Sequence, residues 1–338
     1  MLHKTHTLAQ LRTTIFGGLT VLLLCLGNTQ EARAQWTTIR NGQAWTDTNG
    51  NSVQAHGGNF LKVGKRWYLI GEDRSSSWNP DVNLYSTTDF ATWRFEGKVI
   101  ENGVTDPELG KSRMIERPKL IYNKRTKEFV IWCHWEAKNY GASEAACFVS
   151  KKVNGPYRKV WSGRPLDIKS RDCNIFADND GKAYFISTTN ENQDLGLFTL
   201  SDDYHRAVSH TLLQPGQRRE APAIVHIGDT YYMISSACTG WDPNQAMLTT
   251  SANIQEGWSP LRPVGDRIAY DTQASSILTI KGSKRTTYVY VGDRWMDPDL
   301  PQSKIIMLPV DFEDGNMTFD YYDEWELNLK TGEVRTRK

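Results

Sequence analysis

The sequence predicts an all-β protein and, within that class, a five-bladed β-propeller. The chain has almost no helical periodicity; short β-branched and aromatic runs are separated by Gly, Asn, Asp and Pro turns. Five of these runs resemble one another. They recur about every 45 to 60 residues, at or a little above the length of a four-stranded propeller blade. A β-sandwich or a β-helix accounts less well for that period.

The first 34 residues are set aside before any fold reasoning. Lys4 and Arg12 lie in a polar start, "IFGGLTVLLLCLG" follows, and "ARA" at 32–34 offers a small-x-small cleavage pattern. The apolar run falls short of the ~20 residues of a comfortable membrane span. The reading is a secretory signal peptide cleaved after Ala34 and an exported protein, periplasmic or extracellular. Lipidation at Cys25 fits less well, because Leu24 stands where a small residue is expected; an uncleaved anchor is the other alternative.

Residues 35–338 read as one domain of 304 residues, with no linker or break in composition. Loss of Lys4, Arg12, Arg33 and Glu31 takes the formal charge from +1 to −1. That balance gives no electrostatic footprint for nucleic acid or an anionic membrane. No second apolar stretch is long enough to span a bilayer, and a monomer is expected. All 12 Trp and 14 Tyr lie in this domain. Flat rings with polar tips suit sugar faces, although aromatic-rich β cores leave the same trace. Cys133, Cys147, Cys173 and Cys238 have no zinc-ligand spacing. Cys133 and Cys147 fall on neighbouring strands and could pair, but four cysteines allow three connectivities and buried free thiols are the preferred reading. No metal or other cofactor is expected.

The five repeat runs are "GKRWYLIGE" at 64, "TKEFVIWCHWE" at 126, "GKAYFISTTNE" at 181, "GDTYYMISSACTGW" at 228 and "RTTYVYVGDRW" at 285. Each opens on a polar turn and is followed by another strand. Closure is expected to involve the segment from Trp36 to Trp45 and the last strands around "DEWELNL". In a propeller the innermost strands deliver side chains to one mouth of the channel. Strand-end candidates include Glu72, His134, Glu136, Thr239, Trp241, Asp293 and Arg294. One further polar residue precedes each repeat: His56, Glu116, Asp172, Glu220 and Gln273. "ADNDG" at 177–181 reads as a hairpin turn and not as a calcium loop, because the remaining ligands are missing.

At these segments the chain resembles glycoside hydrolase family 43, a five-bladed propeller family of inverting enzymes, and most closely its exo-β-1,3-galactanase branch. The resemblance rests on "AHGG" with "GE" at 71–72, "ERPKLIYN" with "HWE" and "NYG", and "SRDCNIFADNDGKAY". It is completed by "REAPAI" with "CTGW", and by "TQASS" with "VGDRW". The usual first-blade aspartate base is replaced by His56-Gly57-Gly58, and the second-blade carboxylate is Glu116; the galactanase branch shares both departures.

The resemblance implies that Glu220 is the general acid, Glu116 the supporting carboxylate and Gln273 the unusual residue opposite, acting as an imidic-acid base or by orienting water. A general acid needs a raised pKa, which burial or a nearby carboxylate such as Glu116 supplies. Glu72, Tyr140, Asp172 and Thr239 resemble sugar-binding positions; Trp241 and Trp295 are stacking candidates. His56 and Arg294 complete the substrate-binding set. Asp172 has a simpler role open to it, capping a turn through Ser170 and Asn174. The implied function is an exported exo-β-1,3-galactanase acting on arabinogalactan-type galactan. The alternatives are an α-L-arabinofuranosidase, a β-galactofuranosidase, or a propeller that binds carbohydrate without cleaving it. "WNPD" at 78–81 does not support retaining chemistry, because Asn79 and not an aspartate precedes Pro80.

Overall fold

A computed structural model describes residues 36–313 and 316–337. All of them belong to the unit Gln35–Lys338, and the proposed signal peptide lies outside the described residues. The fold is all-β: its described residues form five four-stranded antiparallel sheets and one three-stranded sheet, with two short 3-10 turns between strands. Each four-stranded sheet is a meander of consecutive strands. The innermost strands are His56–Val63, Arg113–Asn123, Ser170–Ala177, Arg219–Ile227 and Gln273–Lys281. The repeat runs form the second strands, Arg66–Glu72, Glu128–Ala137, Ala183–Thr189, Thr230–Ala237 and Thr286–Arg294.

Inner strands of successive sheets pack side by side, and the fifth returns to the first. Five hydrophobic clusters fill the spaces between sheets. Ile70, Leu84, Ile115 and Ile131 join the first and second, and Trp132, Phe148's neighbour Cys147, Phe185 and Phe198 the second and third. Tyr184, Leu197, Ile224 and Met233 join the third and fourth; Ala223, Ile234, Tyr290 and Leu308 the fourth and fifth. The fifth cluster returns from Val289 and Met307 to Trp67 and Leu69 of the first sheet.

The two ends of the chain enter that last cluster. Trp36–Arg40 pairs antiparallel with Glu324–Asn328, which pairs with Val334–Thr336. This is a sheet of its own, not a strand added to the fifth. Ile39, Trp325 and Leu327 pack between the first and fifth sheets, while Trp325 Nε1 donates to the Met307 carbonyl at 2.8 Å. Cys133 and Cys147 lie on paired strands, but Cys133 is opposite Ala146 and Cys147 opposite Trp132, which puts the thiols on opposite faces. All four described cysteines are free. "ADNDG" does form the turn between two paired strands.

Every inner strand carries a register shift near its mouth end: between His56 and Asn59, Glu116 and Lys119, Ser170 and Cys173, Glu220 and Ala223, and Ala274 and Ser276. In three of them the residue after the candidate site residue is left-handed: Gly57 at φ 61°, Arg117 at φ 48° and Ala221 at φ 50°. Such bulges re-aim a side chain out of the ladder. At Gly57 the space also demands glycine, since a Cβ would lie 2.4 Å from Glu72 Oε1. Below this layer the inner strands are stapled by Lys119. Its fully buried Nζ donates to the carbonyls of Gly57, Gly58 and Ser275 at 2.6, 2.8 and 2.7 Å.

Trp325 is buried on every side and also makes a hydrogen bond. Trp325→Ala should lower the unfolding free energy by about 3–5 kcal/mol, the usual range for deleting a core tryptophan. Denaturant titration followed by circular dichroism checks this; an unchanged midpoint would show that the terminal sheet does not stabilise the ring.

Candidate active site

The bulges aim their residues into one pocket of about 340 Å³ at the mouth of the ring. Its lining includes Glu72, Glu116, Tyr140, Asp172, Glu220, Trp241, Gln273 and Trp295 from the sequence-derived set. Register explains the convergence. Glu72 is opposite His56, Glu116 opposite His134, Glu220 opposite Ser236, and Gln273 opposite Asp293.

Three of the expected residues do not line the pocket. His56 is fully buried behind the floor, with Nδ1 2.9 Å from Asp293 Oδ1. Asp293 also accepts the Gly57 N–H at 2.9 Å, so this pair fixes the glycine bulge. The Arg294 guanidinium donates to the Tyr270 carbonyl at 2.8 Å and lies 5.3 Å from the Tyr321 ring. Thr239 is on an exposed turn, its hydroxyl donating to the Asp242 carbonyl at 2.7 Å. The structure adds Arg74, Trp78, Arg117, His134, Arg171, Asn192, Cys238 and Gly240 to the lining. The repeated Glu-x-Pro at 116–118 and 220–222 was a signal for Arg117, because the residue between is the left-handed one. Arg74 had no such signal: it lies past the end of its strand.

The carboxylates and cations pair in a definite pattern. Arg74 contacts the Glu72 carboxylate through Nη2 and lies 3.7 Å from Glu116. Its guanidinium is 5.4 and 5.9 Å from the Trp241 and Trp295 ring centroids. Those two indoles meet edge to face at 4.9 Å. Arg117 is spread further. Its backbone N–H donates to Glu72 Oε1 at 2.8 Å, and its Nε forms an ion pair with Asp172 Oδ2 at 2.6 Å. Nη1 donates to the Ala274 carbonyl at 3.1 Å, and Nη2 donates to Gln273 Oε1. Asp172 is thus bound to a guanidinium, not used as a turn cap. Glu116 faces His134 Nδ1 at 3.0 Å and accepts the Tyr140 hydroxyl at 2.6 Å.

Glu72, Glu116 and Asp172 each have a cation in contact. Among the described residues no ion pair reaches Glu220. Its carboxyl is buried, and burial together with the Asp172 charge pushes it up to about 8. Arg117, Cys238 and Gln273 oppose that rise without cancelling it. Burial is the main cause, as the sequence reading allowed, and the carboxylate that adds to it is Asp172, where Glu116 was the candidate. Glu116 goes the other way. Burial raises it, but His134, Arg74 and Tyr140 together bring it down to about 2. The pocket thus presents a neutral acid beside a fixed carboxylate at neutral pH, the separation that divides acid from anion in glycosidase sites.

Gln273 is oriented by its partners. Its oxygen accepts from Arg117 and from Trp295 Nε1, the latter at 2.9 Å, and both partners are donors only. Its nitrogen donates to Glu220 Oε1 and to Ser236 Oγ, each at 3.0 Å. Glu116, His134 and Asp172 place ligand-type atoms within 4.8 Å of one another. Arg117 and His134 already neutralise the two carboxylates there, so the donor set does not call for a metal ion.

A neutral carboxyl, paired carboxylates and two indoles around a small polar pocket define a site for acid chemistry on a carbohydrate. The match is specific: residues 53–290 fit the model of glycosyl hydrolases family 43, and the chain belongs to that family. It is a glycoside hydrolase of an inverting family and its substrate is a carbohydrate. An exo-β-1,3-galactanase from Clostridium thermocellum is 39% identical, with a TM-score of 0.85 over 89% of this chain and 68% of that one. One from Phanerochaete chrysosporium, solved with galactose, is 31% identical, with a TM-score of 0.84 over 89% of this chain and 71% of that one. A family-43 β-1,3-galactosidase solved with galactodeoxynojirimycin is 33% identical, with a TM-score of 0.78 over 84% of this chain and 99% of that one. No curated protein sequence matches the chain. Among the described residues no helix is long and apolar enough to cross a membrane.

Asp172→Asn removes the charge that raises Glu220 and frees Arg117, which lowers it. Both changes have the same sign. The alkaline limb of kcat/KM should move to lower pH in this variant; a limb that stays in place would show that burial alone sets the Glu220 value.

Proposed function

We propose that the protein is an exported exo-β-1,3-galactanase that removes galactose, with inversion, from the non-reducing end of β-1,3-galactan of the arabinogalactan type. We further propose that its five four-stranded sheets are the blades of a five-bladed β-propeller. The cyclic packing of the inner strands and the five clusters between sheets support that architecture. The observation that carries the function is the neutral Glu220 in a pocket of paired carboxylates, in a chain similar to galactanases over 89% of its length. Export rests on the reading of residues 1–34 as a signal peptide.

In this reading Glu220 gives its proton to the glycosidic oxygen as the bond to C1 breaks. A water attacks C1 from the opposite face. Glu72, Glu116 and Asp172 accept hydrogen bonds from the sugar hydroxyls, and Tyr140 completes that set. Arg74, His134 and Arg117 keep the acceptors fixed, so little reorganisation accompanies binding. Gln273 is the residue that aligns Glu220 and water. In the pocket as it stands its oxygen faces two donors and carries no proton, which favours the amide over the imidic tautomer.

Residues 35–338 incubated with β-1,3-galactan should release galactose as the first product, in the α configuration. Arabinose alone, from an aryl arabinofuranoside, would move the activity to the arabinofuranosidase alternative; binding without product would leave a carbohydrate-binding propeller. Glu220→Gln should cost at least ~10²-fold in kcat, the low end for loss of a general acid. The wild-type kcat/KM should fall as pH rises through about 8, because the acid must hold its proton in the free enzyme. Activity that keeps rising above that pH would remove Glu220 from the role.

A further inference from the structure

We propose that His134 and Glu136 form a buried charge relay that positions Glu116 and keeps it an anion, making both of them positioning residues for the reaction. The inference rests on the glycosidase reading of the pocket, and only the relay is new. Both residues are almost fully buried, on the strand Glu128–Ala137. Glu136 Oε2 lies 2.9 Å from His134 Nε2, and on the other side of the ring Nδ1 lies 3.0 Å from Glu116 Oε2. The second contact is an ion pair, off the line of an ideal hydrogen bond. A ring between two carboxylates at these distances is an imidazolium, with both nitrogens protonated. The two neighbouring carboxylates outweigh its burial and raise it to about 9.

Glu136 does a second thing. Its Oε1 accepts the backbone N–H of Ala137 and of Ala142, each at 2.8 Å, and that of Ser143 at 3.2 Å. These bonds fold the loop 137–143, whose Tyr140 donates to the other oxygen of Glu116 at 2.6 Å. One buried glutamate therefore organises both partners of Glu116, the imidazolium on Oε2 and the phenol on Oε1. The other charged groups facing Glu116 are Arg74 at 3.7 Å, Glu72 in contact with that arginine, and Asp172 bound by Arg117. Arg74 lies closer to Glu72, so His134, at 3.0 Å, is the nearest cation to Glu116.

Glu136→Gln tests the relay with little change of shape. The amide oxygen can still accept the loop N–H groups, while its NH₂ meets a ring nitrogen that must give up its proton. The geometry survives and the positive charge beside Glu116 is lost. The acidic limb of the native kcat/KM on galactan reflects Glu116 and also Glu72, which burial raises. In the variant the acidic limb should move up by about one pH unit or more, the usual effect of losing an opposite charge at this distance. A variant with unaltered folding and an unmoved acidic limb would overturn the proposal. The ¹⁵N chemical shifts of the His134 ring in the native protein give a readout that needs no activity and no variant. Two protonated nitrogens at pH 7 are expected, and a neutral ring would overturn the relay whatever the substrate proves to be.

Discussion

The pocket depends on how one arginine is placed. Arg117 occupies a left-handed position between Glu116 and Pro118, where the ladder of the second sheet slips by a bulge. A bulky residue at positive φ stores strain, and such strain persists only where the surroundings over-determine it. Here they do. The backbone N–H is committed to the first sheet through Glu72, and the guanidinium to the third through Asp172 and the fifth through Gln273 and Ala274. A lysine could not reach all of these, because a single ammonium lacks the planar fork of donors. The same residue that ties the sheets together therefore assigns the charges. It neutralises Asp172 and stops short of Glu220, and so leaves the acid as the carboxyl without a cation in contact.

Much of this was legible in the sequence. The repeat period gave the sheets, and the polar residues before each repeat gave the inner-strand ends that meet at the mouth. His56, Glu116, Asp172, Glu220 and Gln273 stand at or beside the register shifts of the inner strands. What could not be read was depth. His56 has the same sequence position as Glu116, yet its bulge contains two glycines; the chain folds closer to the floor and the ring is buried against Asp293. Thr239 and Arg294 close their repeats as Glu72 does, but each turns to backbone carbonyls outside the pocket. The partners of the carboxylates were hidden for a different reason. Arg74 follows a strand of the first sheet, Arg117 and His134 lie on the second, and they meet Asp172 of the third only when the sheets converge, which no spacing in one chain records.

The charge pattern explains why so polar a pocket is compatible with a stable fold. A buried carboxylate without a partner is costly, and a paired one much less so. Glu72, Glu116 and Asp172 have their cations in place before any ligand arrives, and the cations are themselves anchored by carbonyls or by a second acid. Ser77 holds Arg74, Ala274 holds Arg117 and Glu136 holds His134. Under the proposed function, a sugar entering the pocket meets acceptors that are already oriented.

Lys119 sets a limit of another kind. By binding the Gly57, Gly58 and Ser275 carbonyls, it ties the first and fifth inner strands to the second beneath the bulges. Under the proposed function a sugar seated above them leaves through the mouth, where the remainder of its glycan stands. For a galactanase that trims chain ends, departure is then ordered: the shortened polymer leaves first and the monosaccharide last. A galactanase built in this way would not slide along one chain taking successive residues. Each cut is a separate encounter, and the length of the polymer matters only through the number of ends it presents.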